Sequence, residues 1–237
     1  MPGQAKRQQG THRKDRDDWA VGRIALLYAA RWNFSWSLEI VLWGVPGAVV
    51  CVLGWNLWHE TVKMDPYAPV GIGEVLQIDA IAYDWKWLFL YRDAGVASAD
   101  RLVLPTGRPV ELRLTSATAL QAFSVPRLGG QIYAMPGMAS RFNLRADVAG
   151  RFEGLNTQYN GPHFARQRFV AEAVPPRAFE SWIDATRAAP PLNAEALARL
   201  AEPGVLEAPV AFGGIAGDPF RETVARLRAG KAPADDG

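Results

Sequence analysis

Residues 153–167, EGLNTQYNGPHFARQ, have the layout of a metal-binding loop, with a Gly-Pro turn, small polar residues at even spacing and one histidine. The donors do not suit a transition metal: the loop carries neutral amides and one histidine but no cysteine, and soft thiolate or imidazole would be needed. His163, with Met135 and Met138 in the general vicinity, is the one grouping that could hold a single copper ion. Elsewhere, Glu39 stands at the head of an apolar run, where a carboxylate is costly unless it faces water, a partner or a proton path. The plainer reading of Glu39 is a first-turn carboxylate favoured by the helix dipole. Trp85 and Trp87 form an aromatic pair suited to packing. Cys51 is the single cysteine, which excludes an internal disulfide and any paired-cysteine metal site. His12 and His59 read as a tail residue and a helix-end residue. No phosphate-binding glycine loop, zinc-ligand spacing or nucleophile elbow is present, and GGIAG at 213–217 is a glycine-rich turn.

These residues need elements to position them. The net charge of +2 is too small, and the basic residues too scattered, for a nucleic-acid surface, while a 49% hydrophobic chain of 237 residues can bury a real core. Residues 1–35 read as a polar, basic lead-in, with WAVGRIALLYAARW a possible remnant of a first membrane helix. From Ile40 to Trp58 no charge interrupts the chain, so 36–60 is predicted to be a transmembrane helix. Pro46, Gly44, Gly47 and Gly54 are tolerable there. Trp32, Trp36, Trp43, Trp55 and Trp58 flank or lie within it, as expected near membrane–water interfaces. Seven Lys/Arg precede the span and only Lys63 follows closely, which puts the N-terminus in the cytoplasm and the main domain outside.

After a linker at 61–73, the period changes to two. Ile81, Tyr83, Trp85, Trp87, Phe89 and Tyr91 are predicted to share one face of a strand, and Val110/Leu112/Leu114, Phe142/Leu144 and Phe169/Ala171/Ala173 alternate likewise. With turn signals between the runs, 74–175 reads as a β-sandwich. Short helices are predicted across 176–230: Phe179, Trp182 and Ile183 share a face, Asn193 caps AEALARLA, and Asp218-Pro219 starts FRETVARLR. Residues 231–237 read as a disordered end.

LEIVLWGVP (38–46), YDWKWLFLY (83–91), FSVPRLGGQIYAMPGM (123–138) and the 153–167 loop occur in the order and spacing of subunit II of the haem–copper respiratory oxidases. The chain resembles that family over roughly residues 36–228, and most of all its bo-type ubiquinol oxidase branch, in which subunit II lacks copper. The resemblance implies a membrane-anchored, mainly-β fold: an N-terminal transmembrane helix, a cupredoxin-like Greek-key β-sandwich and a short helical C-terminal arm. It puts vacated copper-ligand positions at Gln121, Asn156, Gln158, Asn160, Phe164 and Gln167, and it places Glu39 as a candidate at the mouth of a proton pathway. Trp85 and Trp87 match a pair that passes electrons to copper in the cytochrome c branch, so packing is the better reading where no metal receives them.

The function implied is a non-catalytic subunit of a proton-translocating ubiquinol oxidase in a bacterial inner membrane. The chain itself would hold no cofactor; haem, copper and ubiquinol would belong to subunit I. Partners would be subunit I, other oxidase subunits and the lipid bilayer, with neither nucleic acid nor cytochrome c. Family members usually carry a signal segment and two membrane helices; this sequence shows neither the signal nor a full first helix, which reads either as a truncated start or as a genuine shortening. The rival reading is a free-standing membrane-anchored cupredoxin acting as copper chaperone or assembly factor, which should gather several Met or His residues at one site, whereas this chain offers His163 alone.

Overall fold

The computed structural model describes residues 35–63 and 73–230. The expected lead-in, the first-helix remnant, His12, most of the linker and the terminal 231–237 segment lie outside the described residues.

Two units are distinguished, and the first is a helix, α1 (Trp36–Lys63). At about 1.5 Å per residue it is about 40 Å long, more than a bilayer core of about 30 Å requires. Residues Trp36–Thr61 are long and apolar enough to cross a membrane, and among the described residues the apolar window within them is not buried. Trp36, Trp43, Val50, Trp55, Leu57 and Trp58 are all more than half exposed. A helix apolar on every side needs lipid or protein around it. The chain is thus anchored by this N-terminal helix.

The second unit is a two-sheet sandwich. Its strands are β1 (Leu76–Tyr83), β2 (Lys86–Tyr91), β3 (Val96–Ala99), β4 (Arg101–Pro105), β5 (Val110–Ser116), β6 (Gln121–Ser124), β7 (Gln131–Ala134), β8 (Ser140–Leu144), β9 (Gly150–Asn156), β10 (Arg168–Val174) and β11 (Val210–Phe212). One sheet runs β11-β3-β2-β1-β5-β8 and the other β4-β10-β9-β6-β7. Pairing is antiparallel except for β1 with β5 and β4 with β10. Three helices follow the sandwich strands: α2 (Pro176–Arg187), α3 (Ala194–Ala201) and α4 (Pro219–Arg228). A helix, a sandwich and a helical tail are therefore present as the sequence predicts.

The predicted alternations at Val110/Leu112/Leu114, Phe142/Leu144 and Phe169/Ala171 point into the layer between the sheets, and Ala173 is buried as well. The densest part of that layer is aromatic. Trp87 meets Phe123 edge-on at 5.3 Å, and Phe123 stacks on Phe169 at 5.0 Å. Each such ring, fully buried, contributes about 1.5–3 kcal/mol.

The single strand expected across Ile81–Tyr91 is instead a hairpin. Tyr83 pairs with Lys86, and Asp84-Trp85 makes the turn, with Trp85 at φ 64°. The turn exchanges the faces. Ile81 and Tyr83 look outward to the tail, whereas Trp87, Phe89 and Tyr91 look inward between the sheets. Both faces of this sheet are covered, so the apolar pattern runs on through the turn without a glycine or proline to mark it.

The tail is also more than helical, because β11 extends the six-stranded sheet beside β3. Leu200, Phe212 and Phe220 form a second apolar cluster against Ile81, Tyr83, Leu88 and Leu90. Asn193 and Asp218 cap their helices, accepting from the backbone N–H of Ala196 and Arg221. Asp79, 1% exposed, accepts from Arg113 at 2.6 and 2.8 Å and from Arg92, and Arg92 also donates to Asp218. A buried carboxylate satisfied this way ties the cap of α4 to β1, β2 and β5.

Candidate functional site

Strand β9 ends at Asn156 and β10 begins at Arg168, so the loop between them returns beside its own starting point. Gly154 permits the approach, because a Cβ there would lie 2.1 Å from the Phe169 ring. At the far end Gly161, at φ 116°, turns the chain against the indole of Trp85. A 3₁₀ turn, Phe164–Arg166, then delivers Gln167 back into the interior.

Four side-chain amides converge here. Gln121, Asn156 and Gln167 are each no more than 2% exposed. Gln167 Nε2 donates to Gln121 Oε1, and Gln167 Oε1 accepts from Asn156 Nδ2 at 2.9 Å and from Asn160 Nδ2 at 2.8 Å. Asn156 Oδ1 accepts the backbone N–H of Ala122 at 2.9 Å and of Gln158 at 3.0 Å, while its Nδ2 also donates to the Gln158 carbonyl. Gln121 Nε2 donates to the Tyr83 carbonyl at 3.0 Å, with Ser116 and Thr118 hydroxyls at 3.4 Å. An amide carries both donor and acceptor, so these side chains can pair with one another and with nearby backbone without an ion.

Of the positions singled out in the sequence, Gln121, Asn156, Asn160 and Gln167 meet through side chains, and Gln158 joins through its backbone. Phe164 lies on the 3₁₀ turn and packs on Tyr159 at 5.8 Å. Trp85 and Trp87 separate: Trp87 is in the inter-sheet core, and Trp85 sits in the hairpin turn with its ring edge-on to His163 at 4.7 Å. Met138 is exposed, and the Met135 carbonyl accepts from Thr115. Among the described residues no three His, Cys, Asp or Glu side chains gather into a metal-binding group. In α1, Glu39 accepts from the Trp43 indole at 2.9 Å, His59 packs on Trp55, and Cys51 is exposed.

Three buried polar atoms have no partner among the described residues: Trp85 Nε1, Trp87 Nε1 and Asn160 Oδ1. Two of them flank Gly161, so the loop tip is less well satisfied than the amide ring behind it.

Sequence reasoning missed Ser116, Thr118 and the Tyr83 carbonyl as the outer shell of the ring. They reach it through the parallel pairing of β1 with β5, which no local pattern announces. It also missed Lys86 and Asp100. Both are buried, burial pulls the Lys86 amine below its usual range, and burial pushes the Asp100 carboxyl up to about 7.

No protein-family model matches the chain. It is 37% identical over 167 residues to cytochrome bo(3) ubiquinol oxidase subunit 2 of Pseudomonas putida, covering 70% of this chain and 53% of the relative. It is 38% identical over 165 residues to the protein of the same name from Pseudomonas aeruginosa, covering 69% and 50%. The chain thus spans about half the length of the curated relatives it matches. Among solved structures, it is similar to the periplasmic domain of subunit II of cytochrome oxidase of Bradyrhizobium japonicum, with 25% identity, 46% of this chain and 91% of that one covered, and a TM-score of 0.44.

Proposed function

The chain belongs with subunit II of the haem–copper oxidases, and from that premise we propose that it is the non-catalytic second subunit of a quinol oxidase, supporting the haem-bearing subunit rather than conducting electrons. The carrying observation is the buried amide cluster in which Gln167 joins Gln121, Asn156 and Asn160. A pair of copper ions requires bridging thiolates and further soft or imidazole donors. The residues at these positions offer neutral amides engaged with one another and with backbone, and no thiolate, so they do not fit such a centre. Electrons from a lipid-soluble quinol have no need of a relay on an external domain and would go directly to subunit I, where haem, copper and the quinol pocket belong.

On this reading, α1 inserts beside subunit I with its N-terminus in the cytoplasm, and the sandwich clamps and seals the periplasmic face of a bacterial inner membrane. Glu39, in the first turn of α1, would sit at a cytoplasmic proton entrance. The Lys/Arg asymmetry across α1 supports the orientation.

The test is purification of the tagged chain from its native membrane. Quinol oxidase activity and haem should co-purify with it, while copper analysis of the separated chain should give none. Two coppers per chain, or a chain that travels without haem, would overturn the proposal.

A further inference from the structure

The tail does not lie flat along its whole length. Segment 203–209 passes above β9 and β10, leaving a cleft of about 390 Å³ between them; Arg151, Arg166 and Val170 line one side, and Leu206 and Pro209 the other. Among the described residues, no backbone hydrogen bond ties 203–209 to the sheet beneath. Its hydrogen-bonded anchors are at its ends, and between them Leu206 packs against the second apolar cluster. Downstream, β11 pairs with β3. Upstream, the Lys86 amine donates to the Leu200 carbonyl at 3.1 Å and the Glu202 carbonyl at 2.5 Å. One buried ammonium thus takes up carbonyls at the end of α3, where a cation is favoured, and is the upstream anchor of the segment.

Asp100 lines the same cleft, although it is only 7% exposed. Its backbone N–H donates to the Trp87 carbonyl at 2.8 Å, and its Oδ1 accepts the Trp87 N–H at 2.8 Å. Its φ of 57° is left-handed, a conformation that favours glycine over aspartate. Asp100 is therefore fixed on β2 by two hydrogen bonds, and the next residue along from Trp87 is Lys86. The Asp100 carboxylate and the Lys86 ammonium attract one another.

We propose that Lys86 and Asp100 form a proton-responsive clasp that decides whether segment 203–209 lies down over this cleft, closed while Asp100 is protonated and loosened when it ionises. Two costs act in the same direction on ionisation. A carboxylate beneath the segment demands water, and it competes with the Leu200 and Glu202 carbonyls for the Lys86 amine. The surrounding charges are mixed. Asp84 and Glu202 also attract Lys86, and Arg151, Arg166 and Glu207 line the cleft alongside the Arg168–Glu153 ion pair. Burial outweighs the attraction of Lys86 and the Trp87 N–H, raising the Asp100 carboxyl to about 7.

The direction follows from linkage. An acid whose folded pKa is raised adds stability below its unfolded value of about 3.9 and loses that contribution as pH rises through about 7. The segment is therefore closed on the acid side of neutrality and open on the alkaline side. Lys86 has a lowered pKa, so its own linkage has the opposite slope and acts in more alkaline solution.

Hydrogen exchange of the full chain in detergent tests the clasp, with each variant compared with the parent at about pH 6 and about pH 8 so that intrinsic exchange rates cancel. Lys86→Met should speed exchange at 198–209 on the order of tenfold at pH 6, the loss expected for a charge-assisted hydrogen bond, with β1 and β10 still protected. Lys86→Arg should keep the closed state at pH 6. Asp100→Asn, which preserves the fold's hydrogen-bond geometry, should hold 203–209 as closed at pH 8 as at pH 6. Equal exchange in parent and Lys86→Met would overturn the proposal, as would opening at pH 8 that persists in Asp100→Asn. Should Lys86→Met unfold the sandwich, the Asp100→Asn comparison decides alone.

Discussion

Gln121 and Gln167, 46 residues apart in sequence, meet amide to amide in the interior, Nε2 of one donating to Oε1 of the other. Each is held by further partners, so the contact joins the start of β6 to the end of the 153–167 loop at a place where neither side chain reaches water. Burying neutral amides is tolerable only while every one is satisfied.

Gln167→Ala should therefore destabilise the sandwich by about 2–3 kcal/mol, because it strands Gln121 Oε1 and two asparagine amino groups at once. Chemical denaturation followed by tryptophan fluorescence would measure it. Gln158→Ala, which keeps the backbone contacts that Gln158 supplies, should cost less than about 0.5 kcal/mol.

Putting soft donors back tests the reading of the loop from the opposite side. A variant carrying Asn156→Cys, Asn160→Cys, Gln121→His, Phe164→His and Gln167→Met should gain copper with intense visible absorption, whereas the parent should gain none. Failure of the variant to bind copper would mean that these five positions do not line up as the ligand pattern requires.

Gly154→Ala should be among the most damaging small changes in the domain. Its methyl group would enter the Phe169 ring, which is itself stacked on Phe123 and cannot retreat. A loss of about 3 kcal/mol or more is expected from overpacking, read as a lowered denaturation midpoint. Gly130→Ala, with open space around it, should be close to neutral and serves as the control.

Asp100→Asn should change the pH profile of stability. Asp100 binds its proton more tightly folded than unfolded, so the parent loses stability between about pH 4 and pH 7, and the amide variant should lack that decline. Denaturation midpoints at intervals across this range give the comparison, and parallel curves for the two proteins would contradict the burial effect.

Glu39→Gln should leave the helix intact, since the amide oxygen still accepts from Trp43 four residues on. In the assembled oxidase it should slow proton uptake and turnover while leaving subunit composition unchanged. Uptake at the parental rate would remove Glu39 from the proton route.

Much of the fold was legible because burial leaves a periodic mark. Val110, Leu112 and Leu114 face the core while Glu111 and Arg113 face away, and Asn193 and Asp218 start helices through hydrogen bonds local to the sequence. The hairpin at Asp84-Trp85 was hidden because its sheet is covered on both sides, leaving apolar residues at every position. β11 was hidden for a different reason: three residues, two of them exposed, carry too little pattern to register. At the site, the resemblance to oxidase subunit II picked out Asn156, Asn160 and Gln167. The partners Ser116, Thr118 and the Tyr83 carbonyl depend on how β1 and β5 lie side by side, a long-range choice with no local trace.

The place of β11 has a consequence for biogenesis. Ala99 in β3 is matched by Val210, 111 positions further along the chain, which leaves the ribosome only on the order of ten seconds later at about 5–20 residues per second. During that interval the open edge of β3 is a template on which a foreign strand, or a second nascent copy, can add. A message broken before codon 210 would therefore yield adhesive, aggregation-prone fragments rather than a smaller working domain.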